Sequence, residues 1–358
     1  MNIGDVIANR YEIRSFLGEG GMQHVFLALD KSFERLVALK VPKVESASKR
    51  FERSAILSAR VVHPNVAATL DYLSLDKSEY LVEEYVEGKD LSVRIEQFKL
   101  LDPHLTAHVA HHLARALSAS HRVGVFHRDL KPSNIIVSDD PGMSRIKITD
   151  FGIAKLALEE FEEALSDGSE ASITGSQTVL GALPYMAPES FTDNYPVGLP
   201  ADVWSLGAIL FQLLFGERPF GGGPKAVAKT IASIVKGSIQ PKFSPLHKMQ
   251  QFKRLNDELW GIVADCMKVD PSQRPSADAL LTRLSTLCYS TAPRKVGTIA
   301  EFRGGTGNWG KIRDGGELYF FHRDSFYGTT LAKDEPVNFA YFQGSPLSRA
   351  MPVIPIKT

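Results

Sequence analysis

The run His127-Arg128-Asp129-Leu130-Lys131-Pro132-Ser133-Asn134 and the triplet Asp150-Phe151-Gly152 constrain this chain more than any other feature. The run sets a carboxylate, a lysine and an amide carbonyl on one tight loop. Asp150 adds a second carboxylate sixteen residues after Asn134, just past a strand with Ile146 and Ile148 in alternation. A group that accepts or orients a hydroxyl proton, a cation beside a phosphate and two hard oxygen donors are what phosphoryl transfer to a hydroxyl requires.

Length and composition fit an enzyme of that kind. At 358 residues and 44% hydrophobic, the chain can build two packed lobes and one small extra domain. Lys plus Arg equals Asp plus Glu at 41 each, so no global field points to nucleic acid or a membrane surface. Two cysteines, Cys266 and Cys288, make no disulfide framework and suit a reducing compartment. The Met-Asn-Ile-Gly-Asp start has no basic region leading into an apolar stretch, and no run is long enough to span a bilayer. A soluble cytoplasmic protein without membrane association is expected.

Upstream, Leu17-Gly18-Glu19-Gly20-Gly21-Met22 lies between strand-like segments, with Val25 after it, and Val37-Ala38-Leu39-Lys40 follows. With the first two motifs, these segments make residues 11–287 resemble a eukaryotic-like Ser/Thr protein kinase, of the type also common in bacteria. The resemblance implies an α+β, two-lobed kinase fold over 1–288, with a β-rich N-lobe and a helical C-lobe. Alternating strands over 11–86, and the helical spacing of Leu105, Val109, Leu113 and Leu117 within 104–123, agree with that layout.

The resemblance also implies the roles. ATP would bind at Leu17, Gly18, Gly20, Val25 and Ala38, with Lys40 on its α- and β-phosphates and the backbone of Glu84 and Val86 on adenine. Asp129 would accept or orient the substrate hydroxyl proton, and Lys131 would neutralise charge on the transferring γ-phosphoryl, as suits a Ser/Thr acceptor. Asn134 and Asp150 match the two Mg²⁺ ligands. Asp202 belongs to a buried helix of the large lobe, and Arg274 would pair with Glu189 of Ala187-Pro188-Glu189. Arg128 would bind a phosphorylated residue of the activation segment, with Thr174, Ser176 and Thr178 as the candidates for autophosphorylation.

Four positions depart from the pattern. Gln23 stands where the third glycine of the loop would be. Ser54 stands where the helix glutamate that pairs with the strand lysine is usual. Glu83 occupies the back of the adenine pocket, where an apolar residue is usual and a carboxylate is costly unless paired. We expect the last two to cancel, with Glu83 taking over as the partner of Lys40. Ala182 follows Gly181 in place of a threonine that bonds near the catalytic Asp and Lys, which predicts a slower or less selective enzyme.

Near 289–296 the composition shifts through Ser290, Thr291 and Pro293, read as a linker. From Arg294 onward there are nine Lys or Arg against six Asp or Glu, a net of +3, and ten aromatics. The order Val296-Gly297-Thr298-Ile299-Ala300-Glu301-Phe302, Gly307-Asn308-Trp309-Gly310-Lys311-Ile312 and Tyr319-Phe320-Phe321-His322 resembles a cold-shock domain. That implies a small all-β OB-like barrel over 297–358, with Trp309, Phe320 and His322 as base-stacking positions. Glu301 and Lys311 replace aromatics, so binding to single-stranded nucleic acid should be weak. Pro352 and Pro355 suggest a polyproline-like tail.

The expectation is an ATP- and Mg²⁺-dependent protein Ser/Thr kinase acting on protein substrates, with a C-terminal sensor or targeting module. The departures at Ser54, Glu83 and Ala182 leave a second reading open: a pseudokinase-type nucleotide-binding scaffold whose output is a protein or single-stranded nucleic-acid contact.

Overall fold

The computed structural model describes residues 1–19, 23–43, 48–75, 78–98, 100–151, 181–191, 196–221, 252–304, 307–328 and 331–357. The chain opens with a mixed-length antiparallel sheet in the order β1 (Val6–Ile7), β2 (Tyr11–Glu19), β3 (Gln23–Asp30), β4 (Arg35–Pro42), β6 (Ser78–Glu84), β5 (Thr69–Leu75). Its alternation is that of a sheet with two different faces. Tyr11, Ile13, Val37, Leu39 and Val82 point into one apolar core. Ala38 and Lys40, one residue out of phase on β4, therefore leave by the opposite face, which lines the cleft. Helix α1 (Ser48–Ala59) lies across this sheet and docks through Phe51 and Ala55, a four-residue spacing, against Leu81 of β6.

After the short β7 (Lys89–Asp90), the chain becomes helical, with α2 (Leu91–Phe98) and α3 (Pro103–Arg122). Gly88, just before β7, has φ +144°, and a Cβ there would sit 2.1 Å from the Val137 carbonyl oxygen, so only glycine fits this exit from the cleft. Helix α3 is the predicted helix of 104–123, displaced by one residue. Asp102 caps it, accepting from the amides of His104 and Leu105 at 2.9 and 3.1 Å, and Pro103 takes the first turn, where no amide is missed. Its Leu105, Val109, Leu113 and Leu117 are all buried.

The small antiparallel sheet β7, β8 (Ile135–Val137), β9 (Ile146–Ile148) packs on α3 and carries the segments on either side of the cleft floor. Helix α4 (Leu199–Phe215) is apolar on every side and buried on nearly every side, as a central core helix must be. It ends at Gly216 in the left-handed conformation, φ +73°. Helices α5 (Lys253–Cys266) and α6 (Ala277–Ser285) complete the described part of this lobe. No helix among the described residues is long and apolar enough to cross a membrane.

Five strands, β10 (Arg294–Arg303), β11 (Trp309–Asp314), β12 (Glu317–His322), β13 (Pro336–Phe342) and β14 (Ser348–Pro355), close into a barrel in the order β10-β11-β12-β14-β13. Closure leaves no sheet edge unpaired. Ile299, Ile312, Phe321, Phe326, Val337, Phe339 and Val353 fill it. Two sequence expectations are corrected here. The linker is shorter than 289–296, because Arg294, Lys295 and Val296 already pair with Ala340, Phe339 and Asn338 of β13. Pro352 and Pro355 form no polyproline tail; they lie in β14, where Pro355 stands opposite Val337.

The barrel is seated on the large lobe by buried groups. Arg294 meets Asp102 at 2.9 Å, and both side chains are almost wholly buried. Arg294 Nε also donates to Asn338 Oδ1 at 2.7 Å, while Asn338 Nδ2 donates to the Pro141 carbonyl at 2.8 Å. Ile354 of β14 packs into the core of the large lobe. Asp102 thus divides its carboxylate: Oδ1 caps α3 and Oδ2 holds the barrel.

Candidate active site

The loop of 127–134 is held from below by Asp202, in the first turn of α4. Its carboxylate, 1% exposed, accepts from the His127 amide at 2.7 Å and the Arg128 amide at 2.8 Å, and it meets His121 Nε2 at 2.9 Å. Arg128 takes a left-handed backbone, φ +68°, which a non-glycine residue holds only when its surroundings demand it. The paired amides on Asp202 supply that demand. His127 Nε2 donates to the Thr149 carbonyl at 2.8 Å, tying this loop to the segment that presents Asp150. Sequence reading treated Asp202 as helix packing and missed its part in shaping the loop.

On this frame Lys131 Nζ lies 2.7 Å from Asp129 Oδ2. Asn134 donates its amide nitrogen to the Asp129 carbonyl at 2.8 Å and to Asp129 Oδ2 at 3.2 Å. The loop therefore gathers the carboxylate, the cation and the amide of the sequence motif within hydrogen-bond reach of one another. Asp150 faces them from the end of the strand β9, also with a left-handed backbone, φ +62°.

Lys40 reaches across from the small lobe. Its Nζ donates to Asp150 Oδ1 at 2.8 Å and pairs with the Glu83 carboxylate. Glu83 is 3% exposed and Lys40 4%, so neither charge could be held there alone. Burial works against the Lys40 ammonium, but Asp150 and Glu83 outweigh it and hold the group above the ordinary lysine range. Burial opposes ionisation of Asp150 too, yet Lys40 and the Gln23 hydrogen bond keep it below the ordinary carboxylate range. Glu83 moves the other way: burial raises it, Lys40 only partly offsets this, and the Asp150 charge adds to the rise. Glu83 thus occupies the position of the lysine's partner; the side chain of Ser54 lies outside the described residues.

The positions expected to bind nucleotide lie side by side across the sheet. Gly18 pairs with Val25, Val25 with Lys40, and Leu27 with Ala38, so β2, β3 and β4 roof the cleft in register. Leu17 lies beside Gly18 on β2, and Glu84 ends β6 opposite Val37. The Glu84 amide donates to the Ala68 carbonyl at 2.8 Å, and its carboxylate pairs with Lys147 at 2.7 Å. Val86 follows in the connection to β7. Gly20 and Gly152 lie outside the described residues, as do Thr174, Ser176 and Thr178.

The donor set suits Mg²⁺. Asn134 spends its amino group on Asp129, which leaves its carbonyl oxygen for a cation. Asp150 supplies a carboxylate, its Oδ1 engaged by Lys40 and Gln23 and its Oδ2 accepting from Thr149 Oγ1 at 3.3 Å. Among the described residues no group of three or more His, Cys, Asp or Glu forms an all-protein cage. Mg²⁺ needs none, since it keeps waters and binds through one or two protein oxygens plus phosphate.

Away from the chemistry, Arg274 and Glu189 form the expected pair, bidentate at 2.6 and 2.8 Å and fully buried, with Arg274 over the Trp204 ring. Ala182 is buried at the start of the short turn Leu183–Tyr185.

The barrel brings together its three predicted aromatic positions. Trp309 stacks on Phe320 with ring centres 5.8 Å apart, and Trp309 pairs across the strands with His322. Arg303 and Lys311 lie over the Trp309 ring at 5.0 and 5.6 Å. Lys311 is also bound to Glu301 at 2.6 Å, so these two charges neutralise each other.

Comparison with known proteins agrees with this geometry. The family model described as the protein kinase domain matches residues 11–284. A probable serine/threonine-protein kinase of Clostridium perfringens is 33% identical over 307 residues, covering 84% of this chain and 39% of that protein. The serine/threonine-protein kinase PrkC of Bacillus subtilis is 35% identical over 227 residues, 62% of this chain and 33% of that protein. The serine/threonine-protein kinase PknB of Mycobacterium leprae is 30% identical over 324 residues, 86% of this chain and 48% of that protein. The chain spans less than half the length of these relatives. With a matching family model over most of its length and a cleft whose residues meet as that family's chemistry requires, the chain belongs to the protein kinase domain family.

Proposed function

We propose that this chain is an ATP-dependent protein serine/threonine kinase. The observation that carries the reading is the meeting of Lys40, from the small lobe, with Asp150, from the large lobe, at 2.8 Å, beside Asp129, Lys131 and Asn134. Five groups from three separate segments of the chain serve one chemistry there. Asp129 orients the acceptor hydroxyl and takes up its proton as the new P–O bond forms and the bond from the γ-phosphorus to the β,γ-bridging oxygen breaks, releasing ADP. Lys131, at the same carboxylate, faces the charge that grows on the transferring γ-phosphoryl. Lys40 holds the α- and β-phosphates in line. Asp150 and Asn134 would hold Mg²⁺, which would supply charge neutralisation on the phosphate oxygens. Catalysis then rests on positioning and electrostatic stabilisation. Autophosphorylation at Thr174, Ser176 or Thr178, read out by Arg128, belongs to the same proposal.

The barrel we read as a cold-shock-like sensor or targeting module. Its strand order and the Trp309–Phe320 stack, flanked by Arg303 and Lys311, support a face that takes single-stranded nucleic acid weakly.

The test of kinase activity is phosphate incorporation from Mg-ATP into the chain itself and a generic protein acceptor, with Asp129→Asn as control and the 160–190 region mapped by mass spectrometry. Incorporation lost in the control is expected. ATP binding without incorporation in either acceptor would favour the scaffold reading.

A further inference from the structure

Gln23 opens β3 two residues before Val25, so its side chain leaves the strand on the same side, into the cleft. It is 6% exposed. Its Nε2 donates to Asp150 Oδ1 at 2.7 Å, and Lys40 Nζ donates to the same oxygen at 2.8 Å. Its own carbonyl, Oε1, is buried with no hydrogen-bond partner. A buried amide that satisfies one end and strands the other is held in place by what its satisfied end gains.

That gain is electrostatic. Lys40 carries one positive charge against two carboxylates, Glu83 and Asp150, so the cluster is one charge short of neutral when all are ionised. The Gln23 N–H is an uncharged substitute for the missing positive charge. A divalent cation bound at Asp150 would supply that charge itself, and wherever it draws on Oδ1 it meets an oxygen that Lys40 and Gln23 already engage. An N–H pointed at a carboxylate oxygen cannot share its direction of approach with a metal ion at about 2.0–2.1 Å. A glycine at position 23 would offer no such competitor.

We propose that Gln23 competes with the divalent cation for Asp150, and so sets the metal concentration at which the cleft becomes competent. The inference rests on the reading of Asp150 as a metal ligand.

The test is titration of the full chain with Mn²⁺, free ion followed by electron paramagnetic resonance, in the presence of a non-hydrolysable ATP analogue. Gln23→Ala and Gln23→Gly are compared with wild type, and Asp150→Asn serves as control. Thermal melting confirms that each variant is folded, and Gly is the residue the family pattern itself carries here. Both Gln23 variants should bind Mn²⁺ roughly 3- to 10-fold more tightly, the scale of one hydrogen bond no longer competing. Affinity for the analogue in EDTA should stay unchanged. Mn²⁺ affinity that is unchanged or weaker while still dependent on Asp150 would overturn the inference and leave the metal reading intact. Loss of analogue affinity in EDTA would overturn it by making Gln23 a phosphate donor. Wild-type Mn²⁺ binding equal to that of Asp150→Asn would overturn the metal reading and the inference with it.

Discussion

Lys40 and Glu83 are anchored in one sheet: Ala38, two residues before the lysine on β4, pairs directly with Glu83 on the neighbouring β6. The carboxylate reaches the ammonium diagonally across two strands, a span well within two long side chains. The partner of the lysine is therefore fixed by the hydrogen-bonded ladder of the small lobe. Its position does not depend on how α1 docks, because the α1 contact made by Phe51 and Ala55 runs through Leu81 instead.

Asp202→Ala should slow catalysis without abolishing folding. The substitution strands the His127 and Arg128 amides and releases the left-handed backbone at Arg128. A displacement of about 1 Å in the loop carrying Asp129 and Lys131 costs on the order of 100-fold in rate. Steady-state kinetics should show the loss mainly in kcat, with nucleotide affinity little changed.

Arg294→Ala should destabilise the whole chain, not the barrel alone. It leaves Asp102 Oδ2 buried without its cation, while Oδ1 keeps the α3 amides, and half-broken buried pairs typically cost about 3–5 kcal/mol. Urea unfolding should shift to a lower midpoint for the large lobe and barrel together. A transition confined to the barrel would show that the seam carries little.

Acidification should destabilise the large lobe. Burial, first among the causes, holds His63, His104, His108, His111 and His112 below the ordinary histidine value of 6.5. The folded state then binds fewer protons than the unfolded one, so stability is full above 6.5 and falls as pH drops below it. The urea midpoint should fall between about pH 7.5 and about pH 5.5, and His108→Gln should flatten that fall.

Trp309→Ala should remove whatever single-strand binding the barrel has, since one stacked base is worth about 1–3 kcal/mol. Fluorescence anisotropy with a labelled oligonucleotide at low salt should show weak binding that salt and the substitution both abolish. No binding at low salt would leave the barrel as a purely structural or protein-docking element.

Legibility followed the reach of each interaction. The 127–134 loop and Asp150 were readable because their chemistry fixes residue type at short spacing. Helix α3 was readable because its apolar period and its Asp102-Pro103 start are both local. Glu83 could be inferred, since a carboxylate at the back of an apolar pocket demands a cation and Lys40 is the one the fold places there. The Gln23 contact with Asp150 spans 127 positions, and nothing in the sequence near either residue announces it. Asp202 was legible as a helix residue, but the two amides it holds lie some 75 positions upstream. The barrel began earlier than composition suggested because Arg294, Lys295 and Val296 owe their strand to β13, far downstream.

The most direct test of this account is the ATP-dependent phosphorylation rate of Glu83→Met, alone and with Ser54→Glu. Removing one member of the buried pair should lower kcat/KM about 100-fold or more, the kinetic equivalent of about 3 kcal/mol. Adding a carboxylate on α1, where the family pattern carries it, should recover at least about tenfold of that loss. Full activity in Glu83→Met alone would contradict the claim that Lys40 is held in place from the sheet.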